Sequence, residues 1–477
     1  MERLSKTAFL WYLDAPMHLW ALAHNQIESK PLSPLSQYQV WNGKQVETLA
    51  HDYLENFIVP TYPDAELLWQ LSCSDDQFEI RADALILDKN KGTYDLFEIK
   101  SSTSVHKEHL YDVTFQALLL SKQYNLENIF VLHIEKLYLM SETFHLNDFF
   151  ITESVNTKVR DHWEDISQWR EEAFAVMHMG SPPSDRTCSK PKTCPCPDLC
   201  HPDLPKYAVY NIPYLGKKAK DLVDAGIKRI NEIPDHYPLN PTQKRHVQAH
   251  KILEPLIDIQ AIKKSLSTLE YPLYFLDYET FNPALPLYPN YHPYEHIVFQ
   301  YALYTIEKPG SEPQHFDCLI SNQGDPAPRI VPHLLAHLGQ TGHIIVWNKS
   351  FESHRNEDLS KHCPDYSERL GLINHRLYDL MLIFKNGFYI DKDFMGSASL
   401  KAVLPVICPE LGYDGLAIRN GEEAMLTWYK LQNGEIPPDQ HDEIITDMKA
   451  YCGLDAYGMV AILRHLEDLI RSKDEST

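Results

Sequence analysis

RADALILDKNKGTYDLFEIKSS, from Arg81 to Ser102, reads as two strands and a turn. Phe78 to Leu87 alternates and turns apolar at its end, and Tyr94 to Ile99 is a second β-rich run. Between them Asp88-Lys-Asn-Lys-Gly92 carries turn chemistry, because glycine tolerates positive φ and Asn or Asp bonds its own backbone. Asp83 lies on the first strand. Glu98 and Lys100 lie two apart on the second, so they share a face. Two carboxylates can hold a divalent metal, and an ammonium beside them can orient a water against phosphate. A charged surface hairpin would explain the same three residues. On either reading the polar groups stand off the core, so replacing them is expected to leave the fold intact.

Working outward, Ser104 to Asn125 has helical spacing at Leu110, Val113, Ala117 and Leu120, and Ile129 to Leu139 reads as a strand. Strand, strand, helix and strand carrying D-x(14)-E-x-K resembles the core of PD-(D/E)XK nucleases, nearest the RecB-like branch. That resemblance implies a restriction-endonuclease-like domain over roughly residues 1–204. It assigns Asp83 and Glu98 to a metal, Lys100 to the water and Gln116, on the helix, to support. Gly43-Lys-Gln-Val-Glu47 matches the preceding helix of that branch, with Glu47 in the ligand place.

The opening LSKTAFLWYLDAPMHLWALAH reads as a helix interrupted at Pro16, and residues 141–180 read as helical. Cys188, Cys194, Cys196 and Cys200 then crowd together among prolines, which fix extended backbone. Thiolates so bunched bind zinc or an iron–sulfur cluster, or are simply buried free thiols. In RecB-like nucleases with an iron–sulfur staple, a cysteine precedes the early proline, and a later group matches Cys188, Cys194 and Cys200. Here Ala15 takes the first place. Cys196 is the extra thiol that could replace it. The resemblance puts iron–sulfur ahead of zinc.

Residues 205–265 form a net basic segment. KKAKDLVDAGIKRINEIP and TQKRHVQAHKIL resemble a helix-hairpin-helix module, which offers turn amides to phosphate. A plain helical linker explains them equally.

A second pattern begins at Tyr271. LYFLDYET is a strand with Asp277 and Glu279 two apart, and His343-IIVWN348 is a strand followed by a helix from Phe351. Arg376 to Phe384 and Ser397 to Ile407 read as helices, and Asp442 to Ile470 as a long closing helix holding Tyr451 and Asp455. Asp277-x-Glu279, Asn348-x-x-Phe-Glu352 and Tyr451-x-x-x-Asp455, in that order, resemble the motifs of DEDD (DnaQ-like) 3′–5′ exonucleases of ribonuclease H-like fold. Glu352 stands where that family carries aspartate. The resemblance implies that Asp277, Glu279, Glu352 and Asp455 hold two metals, which clamp attacking and leaving oxygens. Tyr451, one helical turn before Asp455, would position the water. Asp379 is a fallback carboxylate.

The expected architecture is thus α/β and multidomain: a PD-(D/E)XK domain, the helical segment, and a ribonuclease H-like domain over 266–477. The order resembles a bacterial family of uncharacterised proteins that fuse a RecB-like nuclease to a DEDD domain. It implies a nuclease using Mg2+ or Mn2+ on nucleic acid, with DNA expected over RNA. Alternatives are one live site beside a dead one, or a non-catalytic nucleic-acid-binding or assembly protein. A formal charge of −22 argues against broad coating of nucleic acid. No apolar run is long enough to span a membrane. Nine cysteines in 477 residues do not form a secreted disulfide framework, so a reducing cytoplasm is expected.

Overall fold

The computed structural model describes residues 2–27, 31–184, 188 and 190–475. One unit comprises Met1–Asp203 with Pro283–Glu295, and the other Leu204–Asn282 with His296–Thr477. The segment 205–265, set apart in the sequence, therefore clusters with the second unit, and a short downstream stretch with the first.

The first unit is built on a six-stranded mixed sheet of β1 (Leu4–Ser5), β2 (Ala65–Ser74), β3 (Phe78–Asp88), β4 (Thr93–Lys100), β5 (Leu126–Ile134) and β6 (Phe150–Ser154). Along β3, buried Phe78, Ile80 and Ala82 alternate with exposed Glu79 and Arg81, and from Ala84 both faces are covered. β3 pairs with β2 along nearly its whole length. Its other edge is shared: the end pairs antiparallel with β4, from Asp88↔Thr93 to Ala84↔Phe97, and the start pairs parallel with β1 at Leu4↔Phe78. Between those two partners β3 and β4 splay, and Asp83 stands in the gap. A parallel β4–β5 pair needs a crossover, supplied by a helix over Lys107–Leu120.

Helices α1 (Lys6–Asp14) and α2 (Pro16–Ala23) meet at Ala15, which is extended because Pro16 lacks an N–H and disfavours helical backbone before it. Helix α3 (Pro34–Tyr53), the crossover α4 (Lys107–Leu120) and α5 (Asn156–Met177) complete the cover. Not all of 141–180 is helical: Phe150–Ser154 is a strand paired with β5, where tertiary pairing overrides local propensity. Residues 283–295 also join this unit's core. Ala284 packs in it, Met140 N donates to Tyr291 O at 3.1 Å, and the Tyr294 hydroxyl donates to the carbonyl of Ser101.

In the second unit, helices α6 (Lys217–Asp224) and α7 (Pro241–Ile252) flank a turn at Gly226 and pack with Val209, Ile230 and Ile233. A two-residue strand, β7 (Leu256–Ile257), follows. The main sheet has five strands: β8 (Leu273–Phe281), β9 (Ile297–Ile306), β10 (Gln314–Leu319), β11 (His343–Val346) and β12 (Leu377–Asp379). Their order is β10-β9-β8-β11-β12, with the first three antiparallel and the last three parallel. Arg376–Phe384 is not one helix. Leu377–Asp379 forms an edge strand on β11, since a short apolar run fits a buried strand as well as a helix. One face packs on α8 (Ala327–His337) and α9 (Lys349–His362). A small strand, β13 (Tyr389–Ile390), pairs with β7. Beyond it come α10 (Leu400–Ile407), α11 (Gly421–Gln432) and α12 (His441–Asp474). The α12 helix lies on β8 and β9, where Gln300 Nε2 donates to Met448 O at 2.9 Å. Among the described residues no helix is long and apolar enough to cross a membrane.

The helical segment meets the α10 approach closely at Gly396. Gly396 has φ 72°, and a Cβ there would lie 1.5 Å from the Asn211 carbonyl oxygen. Asn211 Nδ2 in turn donates to Met395 O at 3.1 Å. Gly396→Ala should therefore incur backbone strain of about 1–3 kcal/mol plus the collision. Thermal melting should show a clear loss of stability, and an unchanged transition would mean that this junction yields freely.

Candidate functional site

Among the described residues, three clusters of polar side chains hold the residues singled out from sequence. The first lies in the second unit, where β8 presents Asp277 and Glu279, α9 presents Glu352, and α12 presents Tyr451 and Asp455. Asn348 caps α9, its side chain accepting from Phe351 N at 3.4 Å, which fixes where Glu352 enters. Asp379 accepts from the backbone N–H of Lys349 at 3.2 Å and of Met381 at 3.1 Å, so it supports the start of α9 instead of supplying a ligand.

These carboxylates are short of positive charge. Burial, with Asp455 beside it, pushes the Asp277 carboxyl well up, and burial with Asp277 and Asp455 does the same to Glu279. Glu352 is raised by burial and by Asp277 and Glu279, and its Oε2 has no hydrogen-bond partner among the described residues. Burial also raises Asp455, against the hydrogen bonds it receives from Tyr413 and Tyr451. Cys452 Sγ lies 3.7 Å from Asp277 Oδ2, and its sulfur and oxygens of Asp277 and Glu279 fall within 4.8 Å of one another.

Tyr413 and Lys401 were not singled out from sequence. Leu404 of α10 faces Gly458 of α12, where an added Cβ would come 2.8 Å from a Leu404 methyl. That packing sets the Lys401 ammonium 5.2 Å from the centroid of the Tyr451 ring and 5.5 Å from that of Tyr413. Gly421, at the start of α11, borders the cluster, since a Cβ there would stand in ordinary contact, 3.5 Å from Glu279 Oε2 and 3.9 Å from the Tyr451 hydroxyl.

The electrostatics fix a sign. A carboxyl whose folded pKa lies above its unfolded value near 4 makes folding take up protons, so stability falls as pH rises from about 4. A divalent cation among the four acids would cancel that loss. Magnesium or manganese should raise the melting temperature of the second unit at pH 8 and raise it less at pH 5, where protons already neutralise the cluster. Equal shifts at both pH values would contradict this electrostatic account.

The second cluster is the hairpin site, and its ion pairs are already made. Glu98 is 1% exposed. Lys100 Nζ donates to Glu98 Oε1 and to Asp112 Oδ2, each at 2.7 Å, and Lys6 Nζ donates to Glu98 Oε1 at 3.1 Å. Gln116 Nε2 donates to Glu98 Oε2 at 2.6 Å and to Asp112 Oδ1 at 3.1 Å. Although burial opposes it, Lys100 and Lys6 hold the Glu98 carboxyl well below the ordinary range, and Lys100 is held well above its own. Asp83 Oδ2 accepts from Ile99 N at 2.9 Å, capping a donor freed where β3 and β4 splay. Burial and the Glu98 charge push the Asp83 carboxyl up to about 7. Glu47, on α3, has a partner of its own. It accepts from the side chain of Gln70, which has φ 54° where the β2–β3 pairing skips a residue. Of the hairpin's polar groups, Glu98 is buried, against the expectation that they stand off the core, while Asp83 and Lys100 are half-buried.

In the third cluster Cys188, Cys194 and Cys200 gather with His18, their donor atoms all within 4.8 Å of one another. Cys196 is outside that group, its sulfur 3.7 Å from that of Cys200. The residue that meets the three thiols is thus His18, not Cys196. Burial pushes the Cys188 thiol up to about 11 and raises Cys194 and Cys200 as well.

A family profile described as "Domain of unknown function (DUF2779)" matches residues 274–399, which takes in Asp277, Glu279 and Glu352. The chain is similar to the uncharacterized protein MG366 of Mycoplasma genitalium, 25% identical over 44% of this chain and 34% of that protein. It is similar also to the Mycoplasma pneumoniae homologue of MG366, 24% identical over 53% of this chain and 41% of that protein. A third relative, the uncharacterized protein UU173 of Ureaplasma parvum, is 25% identical over 46% of this chain and 34% of that protein. The chain thus spans about a third to two-fifths of the length of these relatives. No solved structure matches it.

Proposed function

We propose that this chain is a metal-dependent nuclease that shortens nucleic acid from a 3′ end, and that the cluster of Asp277, Glu279, Glu352 and Asp455 is its hydrolytic site. One observation carries the reading: four carboxyls from three elements, with Glu279, Glu352 and Asp455 buried and Asp277 half-buried, converge with every one of them pushed toward the neutral form. Such an arrangement is costly unless cations complete it. Mg2+ or Mn2+ held there would supply the charge that stabilises the attacking and leaving oxygens. The chain's own residues do the rest. Tyr451 holds a water at its hydroxyl, and Tyr413 and Lys401 keep Asp455 and the Tyr451 ring in place. The strand order β10-β9-β8-β11-β12, with D-x-E on the central strand, supports a ribonuclease H-like assignment for this unit.

The splay between β3 and β4 and the Asp83, Glu98 and Lys100 set support a PD-(D/E)XK-like assignment for the first unit. Glu98 and Asp112 there, however, are already answered by Lys6 and Lys100. This favours one live site and one ammonium-locked cluster.

The test is digestion of 5′-labelled DNA and RNA single strands by the full chain with magnesium or manganese. The expected result is a ladder of shortened products, stronger on DNA, that survives Asp83→Asn. Silence with both metals and both polymers would overturn the reading in favour of a non-catalytic nucleic-acid-binding protein. Internal cuts abolished by Asp83→Asn would move the chemistry to the first unit.

A further inference from the structure

The cysteine cluster has a size and a donor set that its resemblance does not account for. We infer that His18, Cys188, Cys194 and Cys200 bind one zinc ion, with Asp14 as the outer partner of the imidazole, in place of the iron–sulfur cluster the resemblance implies. This rests on the first unit alone and does not depend on the nuclease reading.

Distance is the first argument. Zinc bonds sulfur at about 2.3 Å and nitrogen at about 2.0–2.1 Å, so a tetrahedral site sets its donors about 3.5–3.8 Å apart. His18 Nε2 lies 3.4 Å from Cys194 Sγ, and all four donor atoms lie within 4.8 Å of one another. That space suits one ion. An iron–sulfur cluster interposes several iron and sulfide atoms among its ligands and spreads them wider.

The donor set is the second argument. Three thiolates and one imidazole are a regular structural zinc set, whereas iron–sulfur clusters are held mostly by cysteine alone. Orientation is the third. Asp14 Oδ2 lies 2.8 Å from His18 Nδ1. A proton held on Nδ1 leaves the Nε2 lone pair facing the thiols, the usual outer arrangement of a metal-bound histidine. Asp14 and His18 are one helical turn apart in numbering yet come from α1 and α2, joined across the extended Ala15. Ala15 is buried in the place where the resemblance expects a cysteine, and the ligand arrives instead from His18 in the first turn of α2. Cys194 follows the Pro191–Thr193 turn and Cys200 ends the Pro197–Cys200 turn, with Cys196 outside the set.

The experiment is elemental analysis of the full chain carrying Asp277→Asn, dialysed against EDTA to clear weakly held ions. One zinc per chain is expected, with no iron and no acid-labile sulfide. Protein produced in cobalt-supplemented medium should show the strong visible bands of tetrahedral cobalt with thiolate charge transfer. His18→Cys should keep one metal and shift those bands toward a four-thiolate site, and Cys196→Ser should keep both metal and spectrum. Asp14→Asn should release zinc to a chelator more readily, with affinity lower by about 10–100-fold. A brown protein containing iron and sulfide would overturn the inference. So would a folded parent without metal, or loss of the metal on Cys196→Ser.

Discussion

Asp277→Asn should abolish the 3′-shortening ladder while raising the melting temperature of the metal-free protein at pH 8. The two halves of this result have one cause. Asp277 lies on β8, two residues from Glu279, and its carboxyl is disfavoured in the charged form by burial and by Asp455. An amide of nearly the same shape removes the repulsion, so the apo fold gains. The same change removes the charge around which cations would be held, so catalysis collapses. Loss of one preorganised electrostatic group costs about 10²–10³ in rate elsewhere, and a central metal-site carboxylate should reach at least the upper end. Tyr451→Phe should slow the reaction less, because it removes only a hydroxyl. A variant that lost activity together with melting stability would point to simple misfolding. An active Asp277→Asn would remove the second unit from the reaction.

Lys100→Ala should destabilise the first unit by about 3–5 kcal/mol, the cost of leaving a buried charge without its partner. Lys100 bridges Glu98 and Asp112 at 2.7 Å each, and Lys6 alone would then face both acids, at 3.1 and 3.8 Å. At about 2–4 °C per kcal/mol for a unit of this size, its melting should fall by roughly 10 °C. Adding Glu98→Gln to Lys100→Ala should restore part of the loss, since it withdraws one stranded charge and still leaves Gln116 a partner. Melting of Lys100→Ala identical to the parent would mean that the cluster is solvated and not an internal ion network.

The hairpin's part in this was legible because Asp83, Glu98 and Lys100 belong to adjacent strands, where period and turn chemistry fix the faces. Lys6 was not legible. It reaches Glu98 only because β1 pairs with the start of β3, and two residues of strand leave no pattern. Asp112 offered a faint signal, one helical turn before Gln116 on a helix otherwise apolar on that side. His18 looks like an ordinary histidine on an aromatic-rich helix, and only the long return of Cys188–Cys200 shows what it faces. In the second unit the spacings of Asp277 with Glu279 and of Tyr451 with Asp455 are local and could be read. Tyr413 and Lys401 lie in segments whose placement depends on the packing of Leu404 against Gly458. The edge strand β12 was misread because an apolar run carries no period of its own.

Residues 283–295 leave the loop between β8 and β9 to complete the first unit, and this has a consequence for biosynthesis. A chain emerging from a ribosome exposes the surface around Tyr138 and Ser101 long before Tyr291 and Tyr294 exist to cover it. Residues 204–282, including the strand that bears Asp277 and Glu279, must be translated in the interval. The first unit therefore cannot finish folding as an N-terminal module ahead of the rest, and a gene cut after Asp203 yields an incomplete protein. Inheritance of the two halves as separable pieces would require the strap to be rebuilt.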